Sequence, residues 1–83
     1  MAIETIYIVQ SFKAGMRGAL RADQPTRART GEMAIRTAER LAANKAGVVA
    51  FAMTGDAESG DYDEEPVILF RAGRLPAQFG DGD

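Results

Sequence analysis

TGEMAIRTAERLAANKAG, residues 30–47, is the stretch from which the rest of the chain is read, because it alone shows a helical period with both ends punctuated. Ala34, Ile35, Ala38, Leu41 and Ala42 recur at the three-and-four spacing that gathers side chains on one side of a 3.6-residue helix. Glu32, Arg36, Glu39 and Arg40 occupy the other side, and the Glu32/Arg36 and Arg36/Glu39 spacings read as a salt-bridged solvent face. Thr30 is placed to accept from the free amides of the first turn and Glu32 to complement the positive end of the dipole, while Lys45 and Gly47 suit the other end. A helix with a single apolar stripe must lie on something. The only candidates are the β-like segments on either side of it.

Ahead of the helix, residues 3–12 alternate without being one-sided: Ile6, Ile8 and Phe12 fall on one face, Ile3, Tyr7 and Val9 on the other. A strand apolar on both faces reads as central. KAGMRG, residues 13–18, suits a hairpin loop, and residues 18–22 read as a short second strand whose glycine, arginine and following Pro25 mark it as an edge. Residues 26–29 form an extended approach to the helix, open as to whether they continue that strand. After the helix, residues 47–53 are a nearly continuous apolar run, again two-sided. A polar loop over residues 55–65 follows. Pro66 then opens a last edge strand over 67–70 or 71. The expected fold is therefore α+β: a four-stranded antiparallel sheet, β-β-α-β-β in order 2-1-3-4, with one helix packed on one face. Residues 1–76 are expected to form one domain, and residues 77–83 a flexible tail with little to bury.

One helix covers one face of a sheet. The other face is expected to be bare and apolar, and such a patch marks an interface. Tyr7, Val9, Val49, Phe51 and Leu69 are the candidate interface residues, for a homodimer or for a partner protein docking on the bare sheet face. The competing expectation is that the C-terminal segment, with Leu75 and Phe79, folds back over that face.

Composition bounds the chemistry. Eighty-three residues make one domain, since a chain of this size buries only roughly 60% of its unfolded surface. Apolar residues at 46% and charged residues at 27% with a net charge of −2 describe a chain that folds. There is no cysteine, histidine or tryptophan, which excludes disulfides, thiolate chemistry and imidazole sites. The N-terminus lacks the basic region of a secretory signal and no apolar run approaches a membrane span, so the expected location is cytoplasmic and no membrane partner is expected. The charge is nevertheless polarised: residues 13–45 hold eight cations against three anions, residues 46–83 two cations against eight anions.

Lys13, Arg17, Arg21 and Arg27 are the candidate nucleic-acid-binding residues, a basic stripe on a hairpin that could contact phosphates. No aromatic residue is interleaved on which a base could stack, and cations on an edge strand also serve to discourage stray pairing. Gly15 and Gly18 form a G-x-x-G, but between strands rather than between the helices where that motif clamps a nucleic-acid backbone. The acidic loop, with Asp56, Glu58, Asp61, Asp63, Glu64 and Glu65, offers oxygen ligands to a hard cation yet fits no EF-hand register, and no metal or other cofactor is expected. No serine or threonine has a histidine to activate it, and one helix on four strands leaves little room for a cleft, so no catalytic residue is assigned. The expected function is a small non-enzymatic protein-interaction or self-association domain. The alternative is a nucleic-acid-binding accessory domain using the basic hairpin between residues 13 and 29.

Overall fold

The computed structural model describes residues 2–63 and 65–76. In chain order they form β1 (Ile3–Ala14), a 3₁₀ turn (Met16–Gly18), β2 (Leu20–Ala22), β3 (Thr26–Ala28), α1 (Gly31–Ala42), β4 (Gly47–Asp56), β5 (Asp61–Tyr62) and β6 (Val67–Gly73). The spine is the antiparallel pairing of the two two-sided strands, β1 and β4, continuous from Ile3 opposite Asp56 to Phe12 opposite Gly47.

The fold class is α+β with an antiparallel sheet; among the described residues there is one helix and the sheet has six strands, so the expected four-stranded order 2-1-3-4 is not matched exactly. Each outer position holds two short strands. On one side β2 pairs with the end of β1, Phe12 to Ala14, and β3 with its middle, Tyr7 to Val9. Between them the chain turns away at Asp23, whose amide is taken by the Ser11 carbonyl at 2.9 Å, and Pro25 offers no amide to continue the ladder. On the other side β5 pairs with Gly55 and Asp56 of β4, and β6 with Gly47 through Ala52. A bulge interrupts the second ladder: Ala50 faces Phe70 and Phe51 faces Ile68, leaving Leu69 as the extra residue.

The helix is as the period requires. Thr30 accepts the Met33 amide through its hydroxyl at 3.1 Å, and Ala34 and Ala38 are completely buried. Their small side chains let α1 approach β1 and β4 closely while its start reaches β6. Residues opposite each other in an antiparallel pair share a face. Tyr7, Val9 and Ser11, with Ala52, Ala50 and Val48, therefore lie under the helix, and Val9, Val48 and Ala50 join Ala34 and Ala38 in one buried cluster. Ile6, Ile8, Gln10 and Phe12, with Met53, Phe51, Val49 and Gly47, lie on the helix-free side. Phe12, Val49 and Phe51 form a second buried cluster there. Among the described residues no helix is long and apolar enough to cross a membrane. The expected tail, 77–83, lies outside the described residues.

Candidate interaction surface

The five candidate interface residues do not share one surface. Tyr7, Val9 and Leu69 belong to the helix side, where Val9 is 1% exposed and Tyr7 and Leu69 pack on its cluster. Val49 and Phe51 are on the opposite side of the sheet. The strand alternation had separated the residues of β1 correctly, but which face took the helix, and how β1 registers against β4, are fixed by pairing that sequence alone does not display.

Nor is the helix-free side bare. Val49 is 0% exposed: it forms a buried cluster with Phe12 and Phe51, and Ile8, Leu20, Met53 and Leu75 pack against that cluster. The seating of Leu75 depends on a close backbone approach. After β6 the chain turns at Gly73, with φ 76°, and the Arg74 amide donates to the Ala46 carbonyl at 2.9 Å. This brings the Arg74 carbonyl so near Gly47 that a Cβ on Gly47 would sit 1.8 Å from it, and only glycine fits. Of the two residues expected to fold back over this face, Leu75 does so, and Phe79 lies outside the described residues. What remains partly accessible is a strip to either side of the buried Phe51: Ile6 opposite Met53, Ile8 opposite Phe51, and Ile68, 37% exposed, opposite Phe51 on the far edge.

A polar group closes one end of that strip. The Tyr62 hydroxyl donates to Glu4 Oε2 at 2.6 Å, and Arg27 Nη2 lies 3.9 Å from the same oxygen. Glu4 and Tyr62 flank Gly55 in the ladder, and the absent side chain at Gly55 gives the Tyr62 ring room to lie across β4. Donation to the carboxylate holds the phenol proton in place and raises the Tyr62 pKa above its ordinary 10.0, with burial and the charge of Glu4 adding to the shift.

The four candidate nucleic-acid residues are divided. Lys13 and Arg21 are cross-strand partners on the helix side, beside an open cleft of about 450 Å³ also lined by Met16 and Asp23. Arg17 stands at the tip of the 3₁₀ turn in the left-handed region, φ 60°. Arg27 lies opposite Ile8, on the helix-free side, and is committed to Glu4. Lys13 is committed too, 3.6 Å from Asp23 Oδ1.

Asp23 is the polar hub that the sequence reading missed. Lys45 Nζ lies 3.0 Å from its Oδ2, and the hydroxyl of buried Ser11 donates to the same oxygen at 2.9 Å. Gln10 Nε2 donates to the Asp23 main-chain carbonyl. The hydrogen bond from Lys45, then that from Ser11, hold the Asp23 carboxyl below its usual 3.8. The signal available was Ser11, a hydroxyl inside an otherwise apolar strand.

The acidic loop is partly structured by its own carboxylates. Asp56 accepts the Glu58 amide at 2.9 Å and the Ala2 amide at 3.3 Å, contacts that lower its pKa. Among the described residues no three of its carboxylates gather into a set that could hold a metal ion; Glu64 lies outside them. No protein-family model, no curated protein and no solved structure matches the chain.

Proposed function

We propose that this protein is a small non-enzymatic interaction domain that associates with protein, itself included, through the helix-free side of its sheet. The observation that carries the reading is the strip Ile6, Ile8, Met53 and Ile68, which stays half-buried or exposed after Leu20 and Leu75 have been seated on the rest of that side. Apolar residues connected across three strands are a surface that water leaves readily when a complementary apolar surface arrives. The non-enzymatic part of the reading is supported by the absence of histidine and cysteine, and by the engagement of Asp23 and Tyr62 in local bonds.

The test is solution mass by light scattering at low and high salt. Association through the strip survives salt and is lost in Ile6→Glu, with the far-UV spectrum unchanged. Association indifferent to that substitution, or none with any protein, removes the reading. A charge at Tyr7 or Val9 does not serve, since it would be driven beneath the helix.

A second reading, nucleic-acid binding by Lys13 and Arg21, is favoured by one observation. Like charges directly opposite in a ladder repel, and an anion in the adjoining cleft would relieve them. It requires a gel shift that fades steeply with salt and a salt slope reduced by about one for each cation removed. No shift at low salt ends it.

A further inference from the structure

The strip ends on β6, and β6 is an edge. It pairs with β4 on one side only, and among the described residues no strand occupies its other side. Val67 is 63% exposed and Ile68 37% exposed, at the start of the four-residue apolar run Val67, Ile68, Leu69 and Phe70. Edge strands that must stay single are broken, charged or proline-studded, because their free amides and carbonyls are a template for another strand. The opposite edge has those protections: a gap at Asp23 to Pro25, with Arg21 and Arg27 on its strands. On β6 the proline stands ahead of the strand, at Pro66, and the protections within it are the Leu69 bulge and Arg71, both beyond the exposed Val67 and Ile68.

The charges flanking this run are arranged in opposite senses. Asp63 and Glu65 precede it, and Arg71 and Arg74 end it. Placed parallel, two such strands would oppose like charges. Placed antiparallel, each acidic end meets a basic end. Glu65, ahead of β6, and Arg71, within it, lie three residues either side of Ile68 in sequence, so a twofold axis near Ile68 brings each copy's Glu65 toward the other's Arg71 while the apolar runs overlap.

We infer that β6 pairs antiparallel with β6 of a second copy about a twofold axis near Ile68, joining two sheets into one continuous sheet. The inference shares with the reading of the chain as an associating domain only the self-association and adds the edge and the register; its contact lies two strands from Ile6, so this dimer persists in Ile6→Glu while any contact through the strip is lost. Backbone hydrogen bonds across the new ladder supply the adhesion. The side-chain charges choose the direction.

The experiment uses the full chain, which has no cysteine of its own. Single cysteines at the exposed positions Glu65, Val67, Ile68 and Arg71 are spin-labelled, and the distance between labels of two copies is measured alongside solution mass. The expected result is twice the 8.9 kDa chain mass, with the shortest separation at Ile68 and growth of about 7 Å for each residue away from it in either direction. The paired charges give a second measurement free of labels: Glu65→Arg raises the dimer dissociation constant several-fold, and Glu65→Arg with Arg71→Glu restores it. A dimer whose separations show no minimum, or stay constant along the strand as parallel pairing demands, overturns this inference. So does a monomer, including one whose edge is covered by residues 77–83. The broader reading is judged separately, by Ile6→Glu: association lost there while β6 separations show no minimum would leave the sheet surface at work and remove only the edge.

Discussion

The two faces of this sheet reach the same burial by different means. Under α1, Val9 and Val48 are shielded by a helix that places Ala34 and Ala38 in the buried cluster and packs Leu41 and Ala42 against it. On the other face Val49 is shielded as completely in a cluster with Phe12 and Phe51, against which pack Ile8 and Met53 of the central strands, Leu20 of β2 and Leu75 from the segment after β6. One cover is a regular element that arrives by a crossover. The other is assembled from the sheet's own strands and the segment after β6. The difference teaches that counting helices does not count covered faces: in a domain this small, side chains from the sheet's own strands and one from the segment after β6 can close part of the second face and leave the rest as a partly accessible strip.

The largest effect should come from the backbone contact that delivers the second cover. Gly47→Ala places a methyl group against the Arg74 carbonyl and must displace the segment carrying Leu75. A loss of about 3–4 kcal/mol is expected by urea unfolding, within the range of steric core lesions. Retention of wild-type stability would mean that this approach is not made in solution.

Next, Val9→Ala and Val49→Ala compare the faces directly. Each removes two methyl groups from a site exposed by 1% and 0% respectively, and each should cost about 2 kcal/mol. A much smaller cost at Val49 would show the helix-free side open to water and would enlarge the accessible strip. Leu75→Ala, at a half-buried site, should cost about 1 kcal/mol and make Val49 more accessible to solvent probes.

A gain is expected on the helix side. A Cβ on Gly31 would meet Tyr7 Cε1 and Leu69 Cδ1 at 3.6 Å, ordinary contact, and Gly31 has no positive φ to preserve. Gly31→Ala should therefore raise stability by about 0.5 kcal/mol, chiefly by restricting the unfolded chain. Thermal unfolding measures it.

The smallest effects separate the faces by pH. On the helix side Asp23 has a folded pKa below 3.8, so its contribution is present above that value and is lost as pH falls through the folded one; Asp23→Asn should flatten the acid limb, leaving the share due to Asp56. On the helix-free side Tyr62 has a folded pKa above 10.0. Its contribution is present below 10.0 and is lost as pH rises through the folded value, so Tyr62→Phe should flatten the alkaline limb. Equal sensitivity of both variants at both extremes would break the comparison.

Much of this was legible in order along the chain. The apolar period of residues 34–42, the Thr30 cap, the two-sided character of β1 and β4, and Pro66 at the head of β6 are local facts, written by spacing and by backbone chemistry, and the structure retains each of them. The β1 alternation likewise separated Ile6, Ile8 and Phe12 from Tyr7 and Val9 without any knowledge of the fold. By contrast, the division of each outer strand into two depends on where the chain leaves its ladder, at Asp23 on one side and after Tyr62 on the other, and those departures are set by partners distant in sequence. In the sequence Asp23 is one of three anions among residues 13–45, and nothing next to it sets it apart. Its importance comes from Ser11 and Lys45, brought together only when β1 and the end of the helix meet.

The sequence by itself determined that this is one α+β domain with a single capped helix, a pair of central strands, and no cysteine or histidine chemistry, because those properties follow from composition and short-range periodicity. Only the tertiary structure decided which face of the sheet lies under the helix, that Val9 is buried there with Tyr7 packed against its cluster while Ile6 and Ile8 belong to the strip on the other face, and that Leu75 closes part of that second face. The physical reason is register: shifting one strand by a single residue exchanges its two faces, and nothing in a strand's own alternation states which residue of the neighbouring strand lies opposite.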